Sequence, residues 1–228
     1  MLVPMQSLDI DVVSDVVCPW CLIGTRHLDL ALQELPDVKA TVRFRPFLLD
    51  PTTPPEGVDL RERLRRKYGV DPDTMFGRVE GAARAAGIPL DFSKVRRSVN
   101  TLRAHTLLRH AQAGEGGDGS GSGSSSGNEK QGELARALFQ AYFLEGRDIG
   151  EVEVLSAIAG EHGLDEAEAR RVVTDEAELA RTKKEASEAS AQGITGVPFF
   201  VLGGRLALSG AQPPATIRAA IERALAAD

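Results

Sequence analysis

Apolar and polar residues alternate near the start of the chain. Leu8, Ile10 and Val12 are set against Asp9 and Asp11, a period of two that predicts a strand running into the loop Ser14-Asp15. The period then lengthens. Cys21, Gly24, Leu28, Ala31 and Leu35 recur at helical spacing, which predicts a helix opening at Pro19 and stopped by Leu35-Pro36. Val42 and Phe44 alternate with Arg43 and Arg45 before Pro46, a second strand that completes a βαβ unit with a right-handed crossover.

After the turn-rich stretch from Asp50-Pro51 to Glu56-Gly57 the pattern is helical for well over a hundred residues. Leu60, Leu64 and Tyr68 share one face, and Phe76, Val79, Ala83 and Ala86 another, each pattern ending at a glycine, Gly69 or Gly87. Thr101–Ala113 reads as a further helix with Ala104, Leu107, Leu108 and Ala111 inward and Asn100 or Thr101 as its cap. Gly114–Gly127 is glycine- and serine-rich, too poor in apolar groups to pack, and is expected to be a disordered loop. Helical patterning resumes at Leu134, Leu138, Ala141 and Glu145, then at Val154, Leu155, Ile158 and Ala159, then at Leu179, Ala186 and Ala189. Strand signals return at the end. Gly196-Val197-Pro198 leads into Phe199–Leu202, Gly203-Gly204 is a hairpin turn, Arg205–Leu208 the returning strand, and a last helix turns Ile217, Ile221 and Leu225 inward. The Val197-Pro198 bond, a proline opening a strand beside glycine turns, is expected to be cis. The organisation is therefore α/β, with residues 1–55 and 193–228 forming one discontinuous domain and 56–192 an inserted all-helical domain.

The chemistry sits where the first strand meets the first helix, at Cys18-Pro19-Trp20-Cys21. Cysteines at i and i+3 in a first helical turn have Cα atoms roughly 5 Å apart, within disulfide range. Pro19 suits the first helical position, which makes Cys18 the N-cap. A thiolate there faces unpaired backbone N–H groups and the positive end of the helix dipole, so Cys18 is the expected nucleophile. Cys21 begins the buried stripe and is the expected resolving thiol. A structural zinc site would need four Cys or His ligands, but His27, His105, His110 and His162 are scattered and there is no second cysteine pair. Two inert core cysteines would fit a proline-free, uncapped segment better. His105 reads most simply as a helix-surface or core-edge histidine, and Arg61, Arg63, Arg65, Arg66 and Lys67 as a solvated face or as a rim that attracts an acidic substrate.

Composition adds bounds. The 228 residues carry a net charge of −6, which disfavours a nucleic-acid or anionic-membrane binder. Met1–Ser7 has no basic n-region and no apolar run reaches membrane-spanning length, so a cytoplasmic location is expected, where two cysteines are catalytic, sensory or metal-binding rather than a permanent staple.

A strand entering C-x-x-C, a helical insertion, then Gly-Val-Pro before a hairpin and terminal helix resembles the thioredoxin fold as elaborated in the DsbA family. Ser14-Asp15-Val16-Val17-Cys18-Pro19-Trp20-Cys21, Asn100–His105, Ala141-Tyr142-Phe143 with Glu145-Gly146 and Asp148-Ile149, and Gly196-Val197-Pro198 with Gly210-Ala211-Gln212 look most like its FrnE-like branch. The resemblance implies a thioredoxin-like fold and a thiol–disulfide oxidoreductase. Cys18 would attack, Cys21 resolve, and Pro198 lie opposite them as the cis-proline. The Val197 backbone would pair with substrate, and Pro19, Trp20, Asn100 and His105 complete the implied substrate-binding set. It implies protein or small-molecule disulfides as partners, the Cys18–Cys21 disulfide in place of a cofactor or metal, glutathione as an admissible co-substrate, and leaves a homodimer open. No histidine precedes Cys21, so the strongly oxidising potential of the periplasmic members is not implied. The glutathione-dependent 2-hydroxychromene-2-carboxylate isomerases and kappa-class transferases share the fold and are the rival reading, though they usually carry serine where Cys18 stands.

Overall fold

The computed structural model describes residues 5–114 and 125–226. The alternation at the start forms β1 (Gln6–Ser14), followed by α1 (Pro19–Gln33) and β2 (Val38–Pro46), which lies parallel to β1 with Gln6 opposite Val38 and Ser14 opposite Pro46. The chain returns to this sheet at β5 (Phe199–Leu202), antiparallel on the other side of β1, and β6 (Leu206–Ser209) closes the order β2-β1-β5-β6. Ile10, Val12, Phe200 and Leu202 are fully buried in it. α9 (Pro214–Leu225) turns Ile217, Ile221 and Leu225 inward and packs on α1.

Between β2 and β5 the chain is almost entirely helical: α2 (Leu60–Tyr68), α3 (Pro72–Ala85), α4 (Leu102–Ala113), α5 (Ser125–Phe143), α6 (Val152–Glu161), α7 (Glu166–Thr174) and α8 (Glu176–Ala191). The fold is thus the thioredoxin-like α/β sheet with a helical insertion. A two-residue ladder, β3 (Val58–Asp59) against β4 (Arg97–Ser98), pins the start of α2 to the segment before α4. Phe76 and Phe92 stack at 4.2 Å between centroids, and Phe143 meets Phe92 edge-on at 6.3 Å, joining α3 to α5. Among the described residues no helix is long and apolar enough to cross a membrane.

Several sequence expectations shift. The helix α5 begins at Ser125, so Ser125–Gly127 of the predicted disordered Gly114–Gly127 loop are helical, and residues 115–124 lie outside the described residues. Gly127 is buried, which a solvated loop would not require. α7 was not anticipated, because only Ala169, Val172 and Val173 of its nine residues turn inward. The hairpin turn takes Gly203, Gly204 and Arg205, with Leu202 paired to Leu206 rather than Arg205 opening the return strand. Both glycines have positive φ, 58° and 69°, the left-handed region that a tight hairpin needs. α4 starts at Leu102, whose N–H donates to Asn100 Oδ1 at 3.0 Å. It is buried nearly all round, since His105, Thr106, Arg109 and Gln112 are inward along with the apolar stripe.

The outer edge of β2 is closed by a side chain. Gln131 on α5 accepts from Phe44 N–H at 2.9 Å and donates to the Phe44 carbonyl at 3.0 Å, occupying the place of a neighbouring strand. Without it two buried backbone groups would be left unpaired. Gln131→Ala is therefore expected to destabilise the protein by about 2–6 kcal/mol, from roughly 1–3 kcal/mol for each of the two orphaned groups. The measurement is a denaturant midpoint, with loss of less than about 0.5 kcal/mol counting against the edge-capping role.

Candidate active site

Strand β1 delivers Ser14 and Asp15 to the edge of the sheet, and the next three residues turn the chain into α1. Cys18 N–H donates to the Asp15 carbonyl at 2.9 Å, and Cys18 stands at the N-cap with extended φ/ψ of −90° and 113°. Pro19 occupies the first turn, where its missing N–H leaves nothing unsatisfied. The Cys18 carbonyl accepts from Cys21 N–H at 3.0 Å and Leu22 N–H at 3.2 Å, so the first turn is wound around this residue. Both cysteines are free thiols.

The two thiols differ in surroundings. Cys18 is 4 % exposed and lines a cavity, whereas Cys21 is 0 % exposed and belongs to the core. Burial pushes the Cys21 thiol well above its ordinary pKa and the Cys18 sulfur pushes it further, while a backbone hydrogen bond at Asp15 works in the opposite direction.

The Val197-Pro198 peptide bond is cis. Cys18 Sγ lies 3.7 Å from the Val197 carbonyl oxygen, a weak thiol hydrogen bond that joins the two ends of the site. Behind it, Pro198 is buried against α1 at Gly24. A Cβ at Gly24 would stand 2.7 Å from Pro198 Cγ and 3.3 Å from Phe200 Cζ. The glycine is there because helix and strand meet backbone to side chain. Pro198 O accepts from Gly210 N–H at 2.8 Å, and His27 Nδ1 on α1 is 2.9 Å from the Gln212 carbonyl, so the segment is held from both sides.

A cavity of about 330 Å³ opens beside Cys18, lined also by Val17, Pro19, Trp20, Gly196 and Val197. Its far walls come from the insertion: Leu60, Leu64 and Tyr68 of α2, Met75, Phe76 and Val79 of α3, and Tyr142 and Phe143 of α5. Among the residues named from sequence, Cys18, Pro19, Trp20 and Val197 therefore meet at one cavity, with Cys21 and Pro198 buried behind them. Asn100 and His105 stand elsewhere. Asn100 is half-buried and donates to the Thr53 carbonyl at 2.6 Å while accepting from Leu102 N–H. His105 is 3 % exposed, so it is not on the helix surface, and its Nε2 lies 3.3 Å from Asp15 Oδ1.

Asp15, outside the site residues named from sequence, is 1 % exposed at the cavity wall. Its Oδ2 accepts from Leu49 N–H at 2.8 Å, and its Oδ1 faces His105. The available signal was a charged residue in the apolar run Val12–Val17. Arg63 also departs from the solvated face read from sequence. Its guanidinium pairs with Asp50 and donates to Thr53 Oγ1 and Ser98 Oγ, closing the polar end of the cavity. Burial works against ionising Asp50, but the Thr52 hydrogen bonds and Arg63 outweigh it and hold this carboxyl below its ordinary value. Among the described residues no three His, Cys, Asp or Glu side chains cluster as a metal site.

The arrangement matches a family model, that of the DSBA-like thioredoxin domain, over residues 9–222. The chain belongs to this DsbA-like family. Among its relatives is the uncharacterised protein YwbO of Bacillus subtilis (strain 168), 26% identical over 201 residues, 87% of this chain and 88% of that one. Among solved structures, the probable DsbA oxidoreductase SCO1869 from Streptomyces coelicolor is 27% identical at a TM-score of 0.81, covering 97% of this chain and 91% of that one. Two others share the DsbA-like fold at lower identity. A 2-hydroxychromene-2-carboxylate isomerase is 17% identical, with TM-score 0.67 and coverage of 94% and 95%. The cytosolic disulfide reductase DsbM from Pseudomonas aeruginosa, solved with GSH, is 21% identical, with TM-score 0.60 and coverage of 96% and 99%.

Two outcomes are expected from this geometry. Gly24→Ala should destabilise the protein by about 1–3 kcal/mol, the usual cost of overpacking, because the new methyl meets the Pro198 ring. A thermal-melting shift within error would mean that the segment yields freely. In the reduced native protein a small alkylating agent near pH 7.5 should label Cys18 well before Cys21, since the buried thiol stays protonated until the pH passes above the ordinary thiol range. Mass-resolved labelling that finds Cys21 modified first would reverse the assignment.

Proposed function

We propose that the protein is a thiol–disulfide oxidoreductase working through Cys18 and Cys21, within the FrnE-like branch to which its motifs are similar. The observation that carries this reading is the asymmetry of the pair: Cys18 caps a helix at the wall of a cavity beside Val197, and Cys21 lies sealed behind it. The Cys18 thiolate attacks one sulfur of a disulfide substrate and expels the other half as a thiolate, leaving a mixed disulfide. Cys21 then attacks Cys18 Sγ, expels the bound half, and closes the Cys18–Cys21 disulfide. Reduction by two equivalents of a small thiol restores the pair.

The environment of Cys21 suits this order. Besides burial, the Cys18 sulfur itself raises the Cys21 pKa. Once Cys18 is tied up in a mixed disulfide that contribution falls away, so the resolving thiol ionises more easily at the stage that needs it. Glutathione is a reasonable co-substrate and the cytoplasm a reasonable location, in keeping with the fold-level likeness to a cytosolic reductase solved with GSH.

The isomerase reading has one observation in its favour, a partly open and largely apolar cavity at Cys18, and the corresponding fold neighbour. A glutathione-dependent isomerisation has no resolution step and no use for Cys21. In Cys21→Ser, covalent mixed disulfides with substrate or glutathione are expected to accumulate, visible as mass adducts on Cys18. Cys18→Ser should form none and lose insulin-disulfide turnover at least a hundredfold, by analogy with the loss on removing a nucleophile. Full isomerase turnover in Cys21→Ser, with negligible exchange in the unmutated protein, would replace this reading by its rival.

A further inference from the structure

Helix α2 buries no side chain completely, although Leu60, Leu64 and Tyr68 recur along one face in the pattern that ordinarily seeks a core. That face lies on the chamber beside Cys18. Leu60 and Leu64 are half-buried, and Tyr68 is 51% exposed. Leu49, also on the chamber wall, is another of the large exposed apolar residues. Leu60 and Leu64 give only part of their surface to the core, and polar links share in holding the helix: Leu60 N–H donating to the Arg96 carbonyl, the β3–β4 ladder, Arg61 to Asp73, and Arg63 to Ser98. An apolar helix face with a cavity against it is covered by what the cavity binds.

The chamber also has a direction and a charge. Its lining reaches Phe92 and Phe143, which are buried in the core, so the space extends inward from its mouth at Leu49 and Tyr68 and offers depth for a compact apolar body. At its polar end the Arg63 charge is matched by Asp50, but Lys67, whose ammonium lies 5.5 Å from the Tyr68 ring, has no carboxylate within ion-pair distance among the described residues. Lys67 and Arg63 also line an adjoining depression together with Arg66. On a chain of net charge −6, this rim carries a local excess of positive charge.

We propose that the chamber binds a low-molecular-weight disulfide with an apolar or aromatic body and an anionic group, the body along Leu60, Leu64 and Val79 and the anion at Lys67, which brings its sulfur to Cys18. The proposal rests on the exchange reaction above and narrows its substrate class. Cys18 displaces one half of R–S–S–R′ as a thiolate, and Cys21 displaces the other. The two cysteines supply two electrons, their two protons go to the product thiolates, and two equivalents of a thiol such as glutathione reduce the resulting Cys18–Cys21 bond.

Trp20, the single tryptophan of the chain, lines the chamber, so its fluorescence reports occupancy without any sulfur chemistry. 4-Biphenylcarboxylate has the required body and charge and no sulfur. It is expected to change the Trp20 emission saturably and to bind about fivefold more tightly than neutral 4-biphenylcarboxamide, the scale of one exposed charge pair. Lys67→Ala should abolish that preference and Lys67→Arg keep it. Leu64→Glu should weaken both ligands about tenfold, the scale of losing one buried leucine contact. Should Leu64→Glu lower the melting temperature markedly, Met75→Glu on the separate helix α3 carries the same test. The proposal is overturned by non-saturable binding, or by binding that neither wall variant weakens. Turnover of insulin and of a small disulfide, oxidised glutathione or an aromatic carboxylate disulfide, on the same unmutated protein separates the two levels. Turnover without biphenyl binding sinks the chamber alone; binding without turnover of any disulfide sinks the exchange reaction and the disulfide class with it.

Discussion

The contact on which the site depends is the approach of α1 to the Val197-Pro198 segment across the bare Cα of Gly24. It joins residues that are 174 apart in the chain and fixes the helix carrying both cysteines against the strand that completes the sheet. A side chain as small as a methyl would stand 2.7 Å from the Pro198 ring, so helix and segment would have to separate. The 3.7 Å thiol contact from Cys18 to the Val197 carbonyl is a consequence of that closeness rather than its cause, because a sulfur hydrogen bond of this length is too weak to hold two elements together. Packing sets the distance, and the chemistry uses it.

A second connection ties the insertion to the redox centre. Asp15 sits one turn before Cys18, gives its carbonyl to the Cys18 N–H, and divides its carboxylate between Leu49 N–H on one oxygen and His105 on the other. His105 belongs to α4, and Leu49 to the segment that leads into the insertion. A buried carboxylate is costly unless its lone pairs are satisfied, and here the satisfying groups come from two different parts of the molecule. The position of the active-site loop therefore depends on the insertion being folded.

The parts of the fold legible in the sequence were those in which one residue type carries one physical constraint. The alternation of Leu8, Ile10 and Val12, the Pro19 at a first helical position, and the Val197-Pro198 step beside glycines each admit few structures, and β1, α1 and the cis bond stand as expected. Less was legible where packing decides. Arg63 looks like any other base on a charged helix, and only the fold brings Asp50, Thr53 and Ser98 around it. His105 reads as peripheral on a helical stripe because its partner lies 90 residues away on β1's loop. The Leu60-Leu64-Tyr68 stripe marks an amphipathic face, but periodicity does not distinguish a face turned to a core from one turned to a cavity. Ser125–Gly127 were read as loop from composition, and tertiary packing overrode it, since Asn128 and Gln131 on the following turns are bound to Gln112 and to the β2 edge.

These features together give the two cysteines opposite obligations. In the proposed exchange a nucleophile must be reachable, and Cys18, though only 4 % exposed, stands at a helix cap on the wall of a cavity. A resolving thiol must be near enough to attack and yet silent until required. Full burial silences Cys21 by disfavouring its thiolate, and its position one helical turn along keeps it beside Cys18 without any rearrangement of the backbone. An isolated pair of this kind on a bare sheet would react with any disulfide that diffused to it. The insertion walls the space beside Cys18 with residues of α2, α3 and α5, so on the proposed reaction a substrate is read by these side chains as well as by the thiol. On the proposed reaction, reactivity would then be set by the helix cap and the sheet, and selectivity by the insertion, whose helix α2 buries none of its side chains completely and turns Leu60 and Leu64 to the cavity.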